Sequence, residues 1–221
     1  MNTRDDFDRW LYAAGHDLAE PARTVKGFLD LLQRRHGPAL DGEAREFIDF
    51  AVDAASRLET MLAALLEFGR IGHEPCPAES VDLRGVLETV VARLDGTEGR
   101  VEIGALPVVS GSHKLWRRLF GILIENALLY RSADPPLIRI AGDRARITVA
   151  DNGIGIDARF HGRIFEPFQR LHTRDAIPGC GMGLTIARRI AEHMGYTLDV
   201  EAAEAGGSVF VVALAGAQPT P

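Results

Sequence analysis

Asp151-Asn152-Gly153-Ile154-Gly155 and Gly179-Cys180-Gly181-Met182-Gly183-Leu184 are the two stretches on which the fold of this chain turns. They flank a Phe-rich turn, Ile164-Phe165-Glu166-Pro167-Phe168, and follow an amphipathic segment that carries Asn126. Gly153 and Gly155 let a backbone turn tightly beside a flat ligand. Gly179, Gly181 and Gly183 run into an apolar-periodic segment over 184–194, where the free N–H groups and positive end of a helix can meet phosphate oxygens. Alone, the first stretch is a turn aspartate before a glycine and the second a flexible loop. In this order they describe a nucleotide pocket.

Around that pocket two periodicities alternate. Helices are expected over 82–94, 113–131 and 184–194, and strands near 101–103, 137–141, 146–150, 197–201 and 208–214. Strand pairs alternating with helices make an α/β sandwich, with helices on one face of a mixed sheet. Upstream, His73-Glu74-Pro75-Cys76-Pro77 cannot continue a helix. A linker is therefore expected over 73–80, between a first domain over 1–72 and a second over 81–217. The tail 218–221 is expected to fray.

The first domain is helical throughout. Phe7, Trp10, Leu11, Ala14, Leu18, Val25, Phe28, Leu29 and Leu32 follow the three-and-four spacing of an amphipathic helix. After Gly37-Pro38 and Asp41-Gly42 the pattern resumes at Phe47, Phe50, Ala51, Ala54, Leu58, Met61, Leu62, Leu65 and Leu66. Two rods of about 30 residues, each roughly 45 Å long, make a hairpin. One hairpin cannot bury both faces of its apolar stripes, whereas two form a four-helix bundle, so a homodimer is expected. The architecture as a whole is α+β.

On the first helix, with Ala14 taken as the core reference, His16 falls on the far side and points to solvent. Asp17 can hold the proton of one ring nitrogen and leave the other free as a nucleophile. Pro21, inside the same helical pattern, removes a backbone hydrogen bond one turn further on. His16 and Asp17 are the candidate catalytic pair.

The run Gly15-His16-Asp17-Leu18-Ala19-Glu20-Pro21 resembles the phosphoacceptor box of dimeric sensor histidine kinases, and Thr24-Val25-Lys26-Gly27-Phe28-Leu29 extends the likeness toward the phytochrome-type branch. Residues 119–131 are similar to the Asn box of that family's GHKL-type ATP-binding domain. Asp151 to Gly155 resembles its first glycine box, 164–168 its Phe box, and Gly179 to Leu184 its second glycine box. The resemblance implies ATP and Mg²⁺ as cofactors, with Asn126 as metal ligand and Asp151 as adenine reader. Asn126, Tyr130, Asp151, Gly153, Gly155, Gly179, Gly181, Gly183 and Leu184 then form the nucleotide site. Phe165 and Phe168 would be packing residues anchoring a mobile lid over 169–178, whose Arg170, His172 and Arg174 approach the phosphates. It further implies autophosphorylation of His16, with transfer to an aspartate of a response-regulator receiver domain.

Two departures bear on activity. Where the family commonly carries a polar residue one turn before the Asn, this chain has Ile122; where it commonly carries a Lys three residues after, this chain has Leu129. A phosphotransfer or scaffold protein with impaired or absent autokinase activity is therefore the alternative reading. A GHKL-type ATPase needs a carboxylate one turn before Asn126, where Ile122 stands, and a serine kinase has no use for the His16 hairpin. Glu20 replaces the Thr or Asn of phosphatase-competent relatives, which implies weak phosphatase activity.

Composition narrows the setting. Of 221 residues, 46% are hydrophobic, enough for a real core. The net charge of −6 gives no basic face for nucleic acid. Cys76 and Cys180 lie far apart without metal-ligand spacing, which suits a reducing compartment. No apolar run approaches the roughly 20 residues of a membrane span, and a cytoplasmic location is expected. The input signal would reach the chain from a longer kinase or a separate sensor protein.

Overall fold

A computed structural model describes residues 3–77, 79–94, 99–171, 177, 179–203 and 206–214. The side chains of Phe7, Trp10 and Ala14, the lid positions His172 and Arg174, and the tail 218–221 lie outside the described residues. The chain divides into two compact units, Met1–His73 and Glu74–Pro221.

The first unit is a hairpin of α1 (Thr3–His36) and α2 (Gly42–Ile71). Asp41 starts α2 by accepting a hydrogen bond from the Ala44 N–H at 2.8 Å, satisfying one of the helix's orphan donors. Arg45 closes the turn by donating to the carbonyls of Gly37 and Pro38 at 2.7 and 3.1 Å. The seam between the helices repeats every seven residues: Gly15 and Ala22 on α1, and Ala55, Leu62 and Gly69 on α2, are buried. The approach is close, since a Cβ on Gly15 would stand 3.0 Å from a methyl of Leu66. Helix α1 runs through Pro21. The missing N–H at Pro21 leaves the Asp17 carbonyl without its helical donor.

Much of the apolar stripe stays in water. Phe28 is 68% exposed, Phe50 64% and Phe47 62%. A seam of small residues consumes little of that stripe, which is the physical ground for expecting a second hairpin.

The second unit carries a five-stranded sheet formed by β2 (Arg100–Ile103), β4 (Leu137–Gly142), β5 (Arg146–Asp151), β6 (Thr197–Ala202) and β7 (Ser208–Ala213). The order is β2-β4-β5-β7-β6, with β2 and β4 parallel and the rest antiparallel. Alternation puts Ile138, Ile140, Ile147, Val149, Leu198, Val200, Phe210 and Val212 on one buried face. Helices α3 (Leu83–Val91), α4 (His113–Leu129) and α5 (Gly183–His193) complete the unit. Trp116, Leu119, Phe120, Leu123 and Ile124 make α4 its central rod, each fully buried. Every such side chain contributes on the order of 1.5–3 kcal/mol of burial free energy.

The helices and five strands lie close to where periodicity put them. Two further strands had no such signal: β1 (Glu79–Asp82) and β3 (Val108–Gly111) pair antiparallel as a separate ribbon. Four-residue segments hold too few repeats for a period to stand out. As a result, strand β1 starts at Glu79, inside the stretch expected to be linker.

Candidate functional site

In the second unit the site forms where β5 ends. Strand alternation points Asp151 to the helix-covered face of the sheet, beyond Val149 and Ile147. Its Oδ1 accepts the Gly153 N–H at 2.8 Å and the Ser208 N–H at 3.2 Å. No partner is recorded for Oδ2 among the described residues, so one carboxylate oxygen is anchored and the other is left to accept. Burial pushes the carboxyl group of Asp151 above the ordinary aspartate value, and the two backbone donors oppose that rise.

The first glycine stretch is tied to the end of α4. Tyr130 N–H donates to the Asn126 carbonyl, and Ile154 N–H to the Tyr130 carbonyl, each at 3.0 Å. Gly153 passes so close that a Cβ would stand 2.4 Å from the Tyr130 oxygen, a contact only glycine allows. Asn152 braces the turn, its Oδ1 accepting the Leu137 N–H at 2.8 Å and its Nδ2 donating to Pro135 at 3.0 Å.

Asn126, Tyr130, Gly155 and Leu184 line one cleft with Ile156, Ile164, Gln169, Arg170 and Leu171. Gly155, Gly179 and Gly181 take φ of 75°, 128° and 77°. Gly183 opens α5 beside Ile122, whose Cγ2 lies 3.4 Å from where a Cβ would be. Among the described residues no side chain caps that helix start, which leaves its first N–H groups to face an anion. The free space of the cleft is about 60 Å³, room for about four or five waters. Arg170 closes one side by donating to the carbonyls of Gly179, at 2.6 Å, and Ile177.

The Phe-rich turn divides in two. Phe165 is buried and lies under the Arg188 guanidinium, 3.8 Å from its ring centre. Phe168, expected to pack, is instead 39% exposed and has a φ of 61°. The turn itself needs a left-handed residue there, and the side chain is carried outward.

Sequence reasoning missed Gly207 and Ser208. Gly207 passes under Asp151 so tightly that a Cβ would stand 2.0 Å from its carbonyl oxygen. Ser208 is 4% exposed and supplies the second N–H to Oδ1. The Gly206-Gly207 pair was the available signal, but it reads as an ordinary turn before a strand.

In the first unit, the His16 side chain is 71% exposed and that of Asp17 86%, with Nδ1 and Oδ1 3.7 Å apart. That separation is too long for a hydrogen bond and close enough for charge to bias the ring's tautomer.

Two family models match the chain. Residues 8–74 match the His Kinase A (phospho-acceptor) domain. Residues 111–218 match the histidine kinase-, DNA gyrase B- and HSP90-like ATPase domain. The chain belongs to the sensor histidine kinases. Within that family of two-component systems it is 35% identical over 213 residues to phytochrome-like protein Cph1 of Synechocystis sp., covering 93% of this chain and 28% of that protein. It is 28% identical to sensor histidine kinase AruS of Pseudomonas aeruginosa, covering 96% of this chain and 23% of the relative. This histidine kinase core therefore spans about a quarter of the length of those relatives. Full-length ShkA, solved in complex with AMPPNP, superposes with a TM-score of 0.66 at 25% identity, covering 95% of this chain and 47% of ShkA. Among the described residues no helix is long and apolar enough to cross a membrane.

Proposed function

We propose that this histidine kinase core binds ATP in the second unit, phosphorylates His16, and passes the phosphoryl group to an aspartate of a response-regulator receiver domain. What carries the reading is the carboxylate of Asp151: two backbone N–H groups hold one oxygen, and the other is free to accept from the exocyclic amino group of adenine. Asn126 lines the cleft and would hold a Mg²⁺ ion, whose chemistry there is to neutralise charge on the β- and γ-phosphates. The uncapped start of α5 and the backbone of Gly179, Gly181 and Gly183 would face the phosphate oxygens. Tyr130, Gly153, Gly155 and Leu184 shape the wall beside the base.

At the acceptor, Asp17 favours the tautomer with its proton on Nδ1, which leaves the Nε2 lone pair as nucleophile. Nε2 forms a bond to the γ-phosphorus as the bond to the β,γ-bridging oxygen breaks. ADP leaves, and the Nδ1 proton passes to solvent beside Asp17. Positioning and charge neutralisation supply most of the rate. The functional assembly is a homodimer closed through the hairpin, with domains over 1–72 and 81–217 and the second unit swinging about the intervening linker.

The test is incubation with γ-labelled ATP. The expected product is acid-labile and base-stable, and His16→Ala abolishes it while nucleotide binding persists. Label retained by His16→Ala would overturn the assignment.

A further inference from the structure

The chain that leaves α2 is held by the second unit from Glu74 onward. Gly72 caps α2 and the His73 N–H still bonds back to the Arg70 carbonyl at 3.0 Å. At the next residue the attachments change. The carbonyl oxygen of Glu74 lies 2.7 Å from Nε2 of His193, the last residue of α5. Its carboxylate pairs with Lys114 in the first turn of α4, and the side chain is only 19% exposed. Glu74 and Cys76 each precede a proline, which confines both to extended backbone. In the same unit Trp116 and Tyr196 pack with ring centres 5.4 Å apart, and both donate to the Ser110 carbonyl.

Helix α5 begins at Gly183 in the second glycine stretch and ends at His193 against Glu74. A rod of about 16 Å thus fixes the separation between the phosphate-facing end and the point where the chain enters this unit.

We propose that His193 and Lys114 are positioning residues that clamp Glu74, so that the units pivot at Gly72-His73 and not over the whole linker. This rests on the kinase reading above for its consequence and on the contacts alone for its geometry. With the clamp closed, the mobile tether is Gly72 and His73; with it open, the tether extends over 72–78, up to the start of β1. Since effective concentration falls roughly as the −3/2 power of tether length, lengthening the tether from two residues to seven lowers the rate of phosphoryl transfer to His16 about sixfold.

The experiment compares the full chain with a His193→Ala/Lys114→Ala double variant and with the conservative changes His193→Gln and Lys114→Arg, which keep the donors. Amide ¹⁵N relaxation gives the rotational correlation time of each unit, and an autophosphorylation assay with nucleotide titration gives rate and Kd. Expected in the double variant are a shorter correlation time for the second unit and a rate about sixfold lower at unchanged nucleotide Kd, with both readouts near wild type in the conservative variants. An unchanged correlation time in the double variant overturns the clamp. If the unaltered chain fails to label His16, the kinase reading falls, and the relaxation measurement still decides the clamp.

Discussion

Asp151 and Ser208, 57 residues apart in the chain, meet through a 3.2 Å hydrogen bond from the Ser208 N–H to the Asp151 carboxylate. The bond joins the end of β5 to the start of β7 and orients the group assigned to adenine.

Gly207→Ala is expected to break this junction. The new Cβ would collide with the Asp151 carbonyl, and φ of 87° disfavours any L side chain. A loss of about 2–4 kcal/mol follows, read by denaturant unfolding, together with loss of ATP binding in a titration.

Nucleotide affinity should fall with acid earlier than an ordinary aspartate would dictate. The carboxyl of Asp151 is raised by burial, so lowering pH neutralises it above the usual aspartate range. A protonated Asp151 cannot accept through both oxygens. By linkage, a raised value in the folded state means that folding favours the protonated form. Stability at this residue is therefore greatest below the ordinary aspartate value and declines as pH rises through the folded one. Weaker binding at mildly acidic pH is then separable from unfolding, by calorimetric titration alongside thermal melts, and Asp151→Asn should bind weakly with no such pH step.

The two apolar departures in α4 predict opposite structural costs. Leu129 is 38% exposed, so Leu129→Lys should change stability by less than about 0.5 kcal/mol. A charge-assisted phosphate contact there would raise the autophosphorylation rate about tenfold. Ile122 is 5% exposed against the start of α5, so Ile122→Asn should cost about 2–4 kcal/mol. Melting temperature and rate, measured on each variant, check both statements.

Dimerisation is tested on the exposed stripe of the hairpin. Phe28→Asp with Phe50→Asp should leave the helices of one chain intact and shift sedimentation from dimer to monomer, because a charge at each site cannot be desolvated cheaply. Retained dimer mass would place the interface elsewhere.

Local chemistry made much of this protein legible. The three-and-four spacing of α1 and α2, the stop at Gly37-Pro38 and the alternation in β5 and β7 are properties of neighbouring residues. Asp151, Asn126 and the glycine stretches stood out because each needs a particular residue type within a few positions. Other features involve partners distant in sequence. Phe168 faces outward because of the backbone turn it occupies, and β1 finds β3 only across the intervening α3 and β2.

From sequence alone came the order of elements, the hairpin with His16 on its outer side, and the residue types of a nucleotide cleft, since these depend on periodicity and backbone permission. Tertiary structure alone decided that Gly207 and Ser208 complete the seat of Asp151, that Arg170 closes the cleft, and that Glu74 is held by His193 and Lys114. Those are meetings of segments far apart in the chain, and their geometry is set by packing against a shared core, which no local pattern encodes.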